Sequence, residues 1–185
     1  MVDRNDRQLP DDAKMIPSRA KRVFSGEIFD VYQWPQVLYD GSMATFEMLR
    51  RPDTVIVIGI RDDDDIIACN EEQPGGIVRR DSLPAGRVDG GDVSVLEAAK
   101  RELREETGYR FSRWKLLQVT QPEKKIEWFV HVFVAWQEQE RVAPHLDAGE
   151  KIDVTYISFE ELKQRYAAKI PALLNIHSLS NLKEK

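Results

Sequence analysis

Apolar residues recur along this chain in two rhythms. Ile126, Trp128, Val130, Val132, Val134 and Trp136 alternate with the positions between them, the period-two mark of a long strand with one face turned inward. Residues 54–60 are β-branched and apolar almost without interruption and predict a buried central strand. Further strands are expected at 23–37, 43–49, 66–70, 114–120 and 152–157, with Tyr39-Asp40-Gly41-Ser42 turning the chain between the first two. The rhythm changes over 93–107, where Leu96, Ala99 and Leu103 fall on one stripe of a helix. Ser158-Phe159-Glu160-Glu161 is a capping-box pattern that opens a second helix to about residue 169. Pro171 divides that helix from a shorter one at 172–182.

Between these elements, Asp62-Asp63-Asp64-Asp65 reads as a solvated turn and Pro74-Gly75-Gly76 as a break in the chain. Residues 1–20 carry Pro10, Pro17 and many charges and read as a loosely ordered arm. The order strand-rich, helix, strand-rich, helix predicts an α/β fold, a mixed sheet with helices on both faces.

Composition narrows the function more than the fold. A chain of 185 residues with 42% hydrophobic content suits one globular domain. A formal net charge of −5, without a basic cluster interleaved with aromatics, argues against a nucleic-acid polymer as partner. The polar start is unlike a signal peptide, and the longest apolar run, 55–60, is too short to span a membrane. Cys69 is the single cysteine; it follows Ile66-Ile67-Ala68 and reads as an inert buried thiol. Together these features point to a cytoplasmic protein with no membrane partner.

The candidate chemistry lies on the first helix. Glu102, Glu105 and Glu106 stand at i, i+3 and i+4, which places their carboxylates within about a 100° arc of one face. Ala98 lies in the same arc and leaves room beside them, while Lys100, Arg101 and Arg104 continue round the other side. A charged helix is ordinarily a solvated face, and an Arg101–Glu105 pair would serve one. Like charges on adjoining turns nevertheless repel, and hard oxygen donors in this number suit Mg²⁺ or Mn²⁺ rather than Zn²⁺.

The segment Arg101-Glu102-Leu103-Arg104-Glu105-Glu106-Thr107-Gly108-Tyr109, entered through Leu83-Pro84-Ala85-Gly86, resembles the Nudix box. That pattern reads Gly, five residues, Glu, seven residues, Arg-Glu-apolar-x-Glu-Glu-x-Gly-apolar. Its second half matches throughout. In the first half Asp92 stands for the Glu, and eight residues rather than seven separate it from Arg101. One extra residue in the loop around 92–94 accounts for this and leaves the acidic face intact.

The resemblance implies an α/β/α sandwich with a mixed β-sheet, preceded by an N-terminal antiparallel strand pair. Residues 1–50 would form the arm and pair, and 51–185 the catalytic domain. It implies hydrolysis of a nucleoside diphosphate linked to a further group. Glu102, Glu105 and Glu106 would hold the metal, the Ala85-Gly86 loop would add backbone carbonyls, and Arg101 would pin a box carboxylate. Residues 37–136 resemble the ADP-ribose pyrophosphatase branch, in which a proline beyond the box has a counterpart in Pro122. The branch implies ADP-ribose or a related nucleotide sugar as substrate, with Pro84 and Gly86 at the substrate and Arg79 or Arg80 supplying the phosphate-binding arginine. It places a general base on the acidic loop before the last strand, at Glu150, with Asp147 as the fallback and Glu105 if neither serves. It also implies a homodimer built through the aromatic-rich N-terminal strands. Two rivals are hydrolysis of modified nucleoside triphosphates or dinucleotides and a non-catalytic module that senses nucleotide sugars. The intact box carboxylates weigh against the module.

Overall fold

The computed structural model describes residues 8–146, 148–149 and 151–184. The expected Thr54–Gly59 strand (β4) lies at the heart of the molecule, parallel to Val130–Arg141 (β10) in the register Val55↔His131 and Val57↔Phe133. Ala85–Arg87 (β7) and Tyr109–Thr120 (β8) flank them, giving the order β7-β4-β10-β8. Alternate side chains of β4 and β10 enter different cores. Val55, Val57, Phe133 and Ala135 pack against Ala98, Ala99 and Leu103 of the helix Val95–Thr107 (α1). Ile58, Val130, Val132 and Val134 pack against Leu162, Leu173 and Leu182 from the C-terminal helices. Burial on both faces explains the near-continuous apolar run. The result is the expected α/β/α sandwich.

The C-terminal layer comprises Phe159–Tyr166 (α2), a 3₁₀ turn at Pro171–Asn175 and Leu179–Glu184 (α3). The capping box of α2 is present, with Ser158 and Glu161 bonding each other's backbone N–H. A second sheet joins Lys151–Ile157 (β11), Ile66–Gln73 (β5) and Ile77–Ser82 (β6). β6 has no counterpart in the pattern reading, because Ile77-Val78-Arg79-Arg80 does not alternate; its apolar residues are exposed.

Two of the expected strands are divided. The expected strand at 23–37 is broken by a turn in which Gly26 N–H donates to the Phe29 carbonyl. Lys21–Ser25 (β1) thereby folds back on Asp30–Val37 (β2), and β2 pairs in turn with Met43–Arg50 (β3). The expected antiparallel pair is β2 and β3, with β1 added at its edge. The long strand at 126–136 is also interrupted. Ile126–Glu127 (β9) leaves the central sheet and pairs in parallel with β3, stitching the N-terminal sheet to the rest. The arm is held in place over residues 8–20: Lys14 and Gln121 exchange two hydrogen bonds, and Ile16 N–H donates to Glu127. These partners lie more than 100 positions away in the chain, beyond any local signal.

Candidate active site

α1 begins where Ser94 accepts from Glu97 N–H and ends at Gly108, whose φ of 76° is the left-handed stop. Its acidic face turns toward β7. Gly86 lies so close to Glu102 that a Cβ there would fall on the Glu102 carboxyl. Ala85 N–H donates to Glu106 Oε2 at 3.2 Å. The loop and the acidic face are therefore one unit, brought together because β7 hydrogen-bonds to β4 while α1 packs on the same strand.

Arg101 organises the rest. Its guanidinium donates to Glu102 and Glu105 at 2.9 Å and to the Arg87 carbonyl at 3.0 Å. It also makes two 3.0 Å bonds with the two oxygens of Asp92. Asp92 is buried and its second oxygen accepts from Asp89 N–H. The extra loop residue thus leaves Asp92 in a bidentate pair with Arg101. The Arg101 bonds hold the Asp92 carboxyl below the usual carboxylate range. Glu102 moves the other way: burial outweighs the pull of Arg101 and pushes its pKa up to about 7.

The acidic face, the box loop and Arg101 form one charged cluster rather than a closed cage. Among the described residues, no three His, Cys, Asp or Glu side chains converge closely enough to hold a metal ion. Glu102 and Glu105 are instead turned onto Arg101. The donor chemistry nonetheless fits a hard divalent cation, and a half-buried carboxylate with raised proton affinity marks a place where positive charge would be favoured.

Arg79 and Arg80 lie exposed on β6, with Arg79 paired to Glu71 at 2.9 Å. Pro84 is buried, and its carbonyl accepts from Val57 N–H. Glu150 and Asp147 lie outside the described residues.

Pattern reading missed a cavity of about 420 Å³ beside the box loop. It is lined by Arg22, Asp30, Arg51 and Asp53 and by Val88 and Asp89 of the loop. Arg51 stacks over the Trp128 ring at 4.6 Å and lies 5.6 Å from the Phe29 ring. Its Nε is buried without a hydrogen-bond partner among the described residues, and burial lowers its pKa. The Arg50-Arg51-Pro52-Asp53 run carries no spacing that announces this, since both rings arrive from distant connections, Phe29 from between β1 and β2 and Trp128 from between β9 and β10. His131, without a partner in sequence, lies 3.3 Å from Asp53 in the core. A second cavity, about 760 Å³, follows the outer side of α1 past Glu105 to Trp114 and His145.

The NUDIX domain family model matches residues 50–175, and the chain belongs to this family. It is a Nudix hydrolase, a class that cuts the pyrophosphate linkage of nucleotide derivatives and generally uses a divalent cation. An ADP-ribose pyrophosphatase of Bacillus subtilis (strain 168) is 29% identical over 147 residues, 76% of this chain and 77% of that protein. A methanol dehydrogenase activator of Bacillus methanolicus is 27% identical over 149 residues, 79% of this chain and 80% of that protein. A crystal structure of an ADP compounds hydrolase superposes with a TM-score of 0.64 at 22% identity. The match covers 87% of this chain and 91% of that one, and supports the fold.

Proposed function

We propose that the protein hydrolyses ADP-ribose, or a closely related nucleoside diphosphate sugar, to a nucleoside monophosphate and a sugar phosphate. The observation that carries this is the set of Glu102 and Glu106 against Gly86 and Ala85, with Arg101 locked to Asp92 alongside. Glu102, Glu105 and Glu106, with the loop at Ala85, would hold Mg²⁺ or Mn²⁺. A bound divalent cation neutralises the diphosphate oxygens and makes the attacking water more acidic.

The chain's own residues do the rest. Arg101 fixes the orientation of Glu102 and Glu105. Glu150 is the candidate that takes the proton as water attacks one phosphorus. The bond from that phosphorus to the bridging oxygen breaks, and the oxygen leaves on the other phosphate. The cavity at Arg51 suits the nucleotide portion: it is lined by a guanidinium held against the Trp128 ring, which brings positive charge to the cavity beside the box loop. The 29% identity to an ADP-ribose pyrophosphatase supports this substrate over triphosphates and dinucleotides.

The exposed edge strand β1, with Val23 53% and Phe24 58% exposed, supports a homodimer formed through the N-terminal sheet.

A panel of nucleotide sugars, triphosphates and dinucleotides, with and without excess chelator, tests the reading. ADP-ribose should give AMP and ribose 5-phosphate, and Glu106→Gln should lose orders of magnitude in turnover while staying folded. Undiminished activity in chelator sinks the metal assignment. Release of pyrophosphate from triphosphates as the main reaction moves the substrate away from nucleotide sugars.

A further inference from the structure

The backbone that delivers the box loop has a weak point. At the end of β6, Asp81 adopts φ 49°, a left-handed conformation unfavourable for a residue with a Cβ. The pairing of β5 with β6 shifts register at the same place, between Cys69↔Ser82 and Glu71↔Arg79, so Asp81 lies within the irregularity. Residues 83 and 84 belong to no strand: β5 holds the chain as far as Asp81 and Ser82, through Asp81 N–H to Asn70 Oδ1 at 3.1 Å and Ser82 Oγ to the Cys69 carbonyl at 3.0 Å, and β4 takes it up again at Pro84.

A single side-chain atom spans the gap. The hydroxyl of Tyr166, the last residue of α2, donates to the Asp81 carbonyl at 2.9 Å and accepts from Leu83 N–H at 3.0 Å. Arg165, its neighbour, pairs with the Asp81 carboxylate at 3.0 Å. Past Leu83, Val57 N–H takes the Pro84 carbonyl. The next two residues are those that meet the acidic face, through Ala85 N–H to Glu106 and Gly86 against Glu102. Leu83 itself is buried in the core shared with Leu162 of α2. Its side chain sets where the loop lies, and the Tyr166 hydroxyl sets how its peptide groups point.

We propose that Tyr166 is a positioning residue for the cation site: its hydroxyl orients the peptides at 81–83, and so holds Ala85 and Gly86 where Glu106 and Glu102 can receive a divalent ion. The inference rests on the metal-holding role of the acidic face given above. An amino acid far from the box in sequence, on the opposite helical layer, thereby tunes the affinity of the site.

Tyr166→Phe removes the hydroxyl and keeps the ring. Tyr156→Phe is the control, since it removes a hydroxyl bonded at 2.9 Å to that of Tyr109, away from the loop. Two quantities are read besides activity: amide hydrogen exchange at Leu83, Ala85 and Gly86 in the metal-free protein, and Mn²⁺ affinity by electron paramagnetic resonance. In Tyr166→Phe those amides should exchange about tenfold faster and Mn²⁺ should bind about tenfold more weakly, the scale of losing an outer partner of a metal site. Tyr156→Phe should match wild type in both. Wild-type Mn²⁺ affinity or wild-type exchange in Tyr166→Phe overturns the proposal. It leaves the metal assignment standing if Glu106→Gln abolishes Mn²⁺ binding. A wild-type protein that binds no Mn²⁺ overturns both.

Discussion

Gly86→Ala isolates the geometry of the acidic face from the stability of the fold. The added methyl would lie 2.0 Å from the Glu102 carboxyl carbon and 2.2–2.3 Å from its oxygens, inside the 3.0 Å that real Cβ atoms keep. The carboxyl must retreat by roughly 1 Å, because a misplacement of that size is what relieves the overlap and is also enough to cost about 10²-fold in rate. Gly86 does not have a positive φ, so alanine brings no backbone strain of its own. The group that must move is the free end of a flexible side chain, and an off-rotamer shift there costs about 1 kcal/mol. The displaced carboxylate would also leave its 2.9 Å bond to Arg101. Turnover of ADP-ribose should therefore fall about a hundredfold, with a higher concentration of Mg²⁺ needed for half-maximal rate and a melting temperature nearly unchanged. Wild-type turnover would refute the contact. A collapse in melting temperature would show instead that Gly86 serves the fold.

Asp92→Asn removes the charge from the bidentate pair with Arg101. Its two 3.0 Å bonds are partly exposed on the arginine side, so the loss should be about 2 kcal/mol in urea unfolding. The Asp92 carboxyl titrates below the usual carboxylate range in the folded state, so its stabilisation is present above about pH 4 and disappears as pH falls through the folded value. The gap between wild type and variant should close on the acid side; a constant gap down to pH 2 would show that packing, not charge, is at stake. Glu150→Gln should lower kcat by about 10²–10⁴-fold with KM little changed, and Asp147→Asn should be mild; the reverse order would move the base to Asp147. Phe24→Asp on the exposed edge strand should turn a dimer into a monomer in light scattering, and a monomeric wild type at micromolar concentration would rule the dimer out.

Local patterns determined the elements whose periodicity one buried face dictates. β4 and α1 appear where the apolar run and helical spacing placed them, β10 keeps the 130–136 part of the strand that alternation began at 126, and the ends of α1 are set by Ser94 and Gly108 as the chemistry of helix termini requires. The acidic face was legible for the same reason: residues at i, i+3 and i+4 share a side of a helix whatever surrounds it.

What local spacing could not show is which strand lies beside which. The parallel pairing of β4 with β10 brings His131 to Asp53 across 78 positions. The departure of β9 to the N-terminal sheet carries Glu127 to Arg50 across 77. Asp92 looked displaced by an added residue, yet a loop closed on Arg101 absorbs the extra length without moving the helix. Arg51 and Tyr166 carried no signal at all, because their surroundings are made by chain segments that meet only when the sandwich closes. Local chemistry thus decided which groups the site has, and tertiary packing decided what holds them.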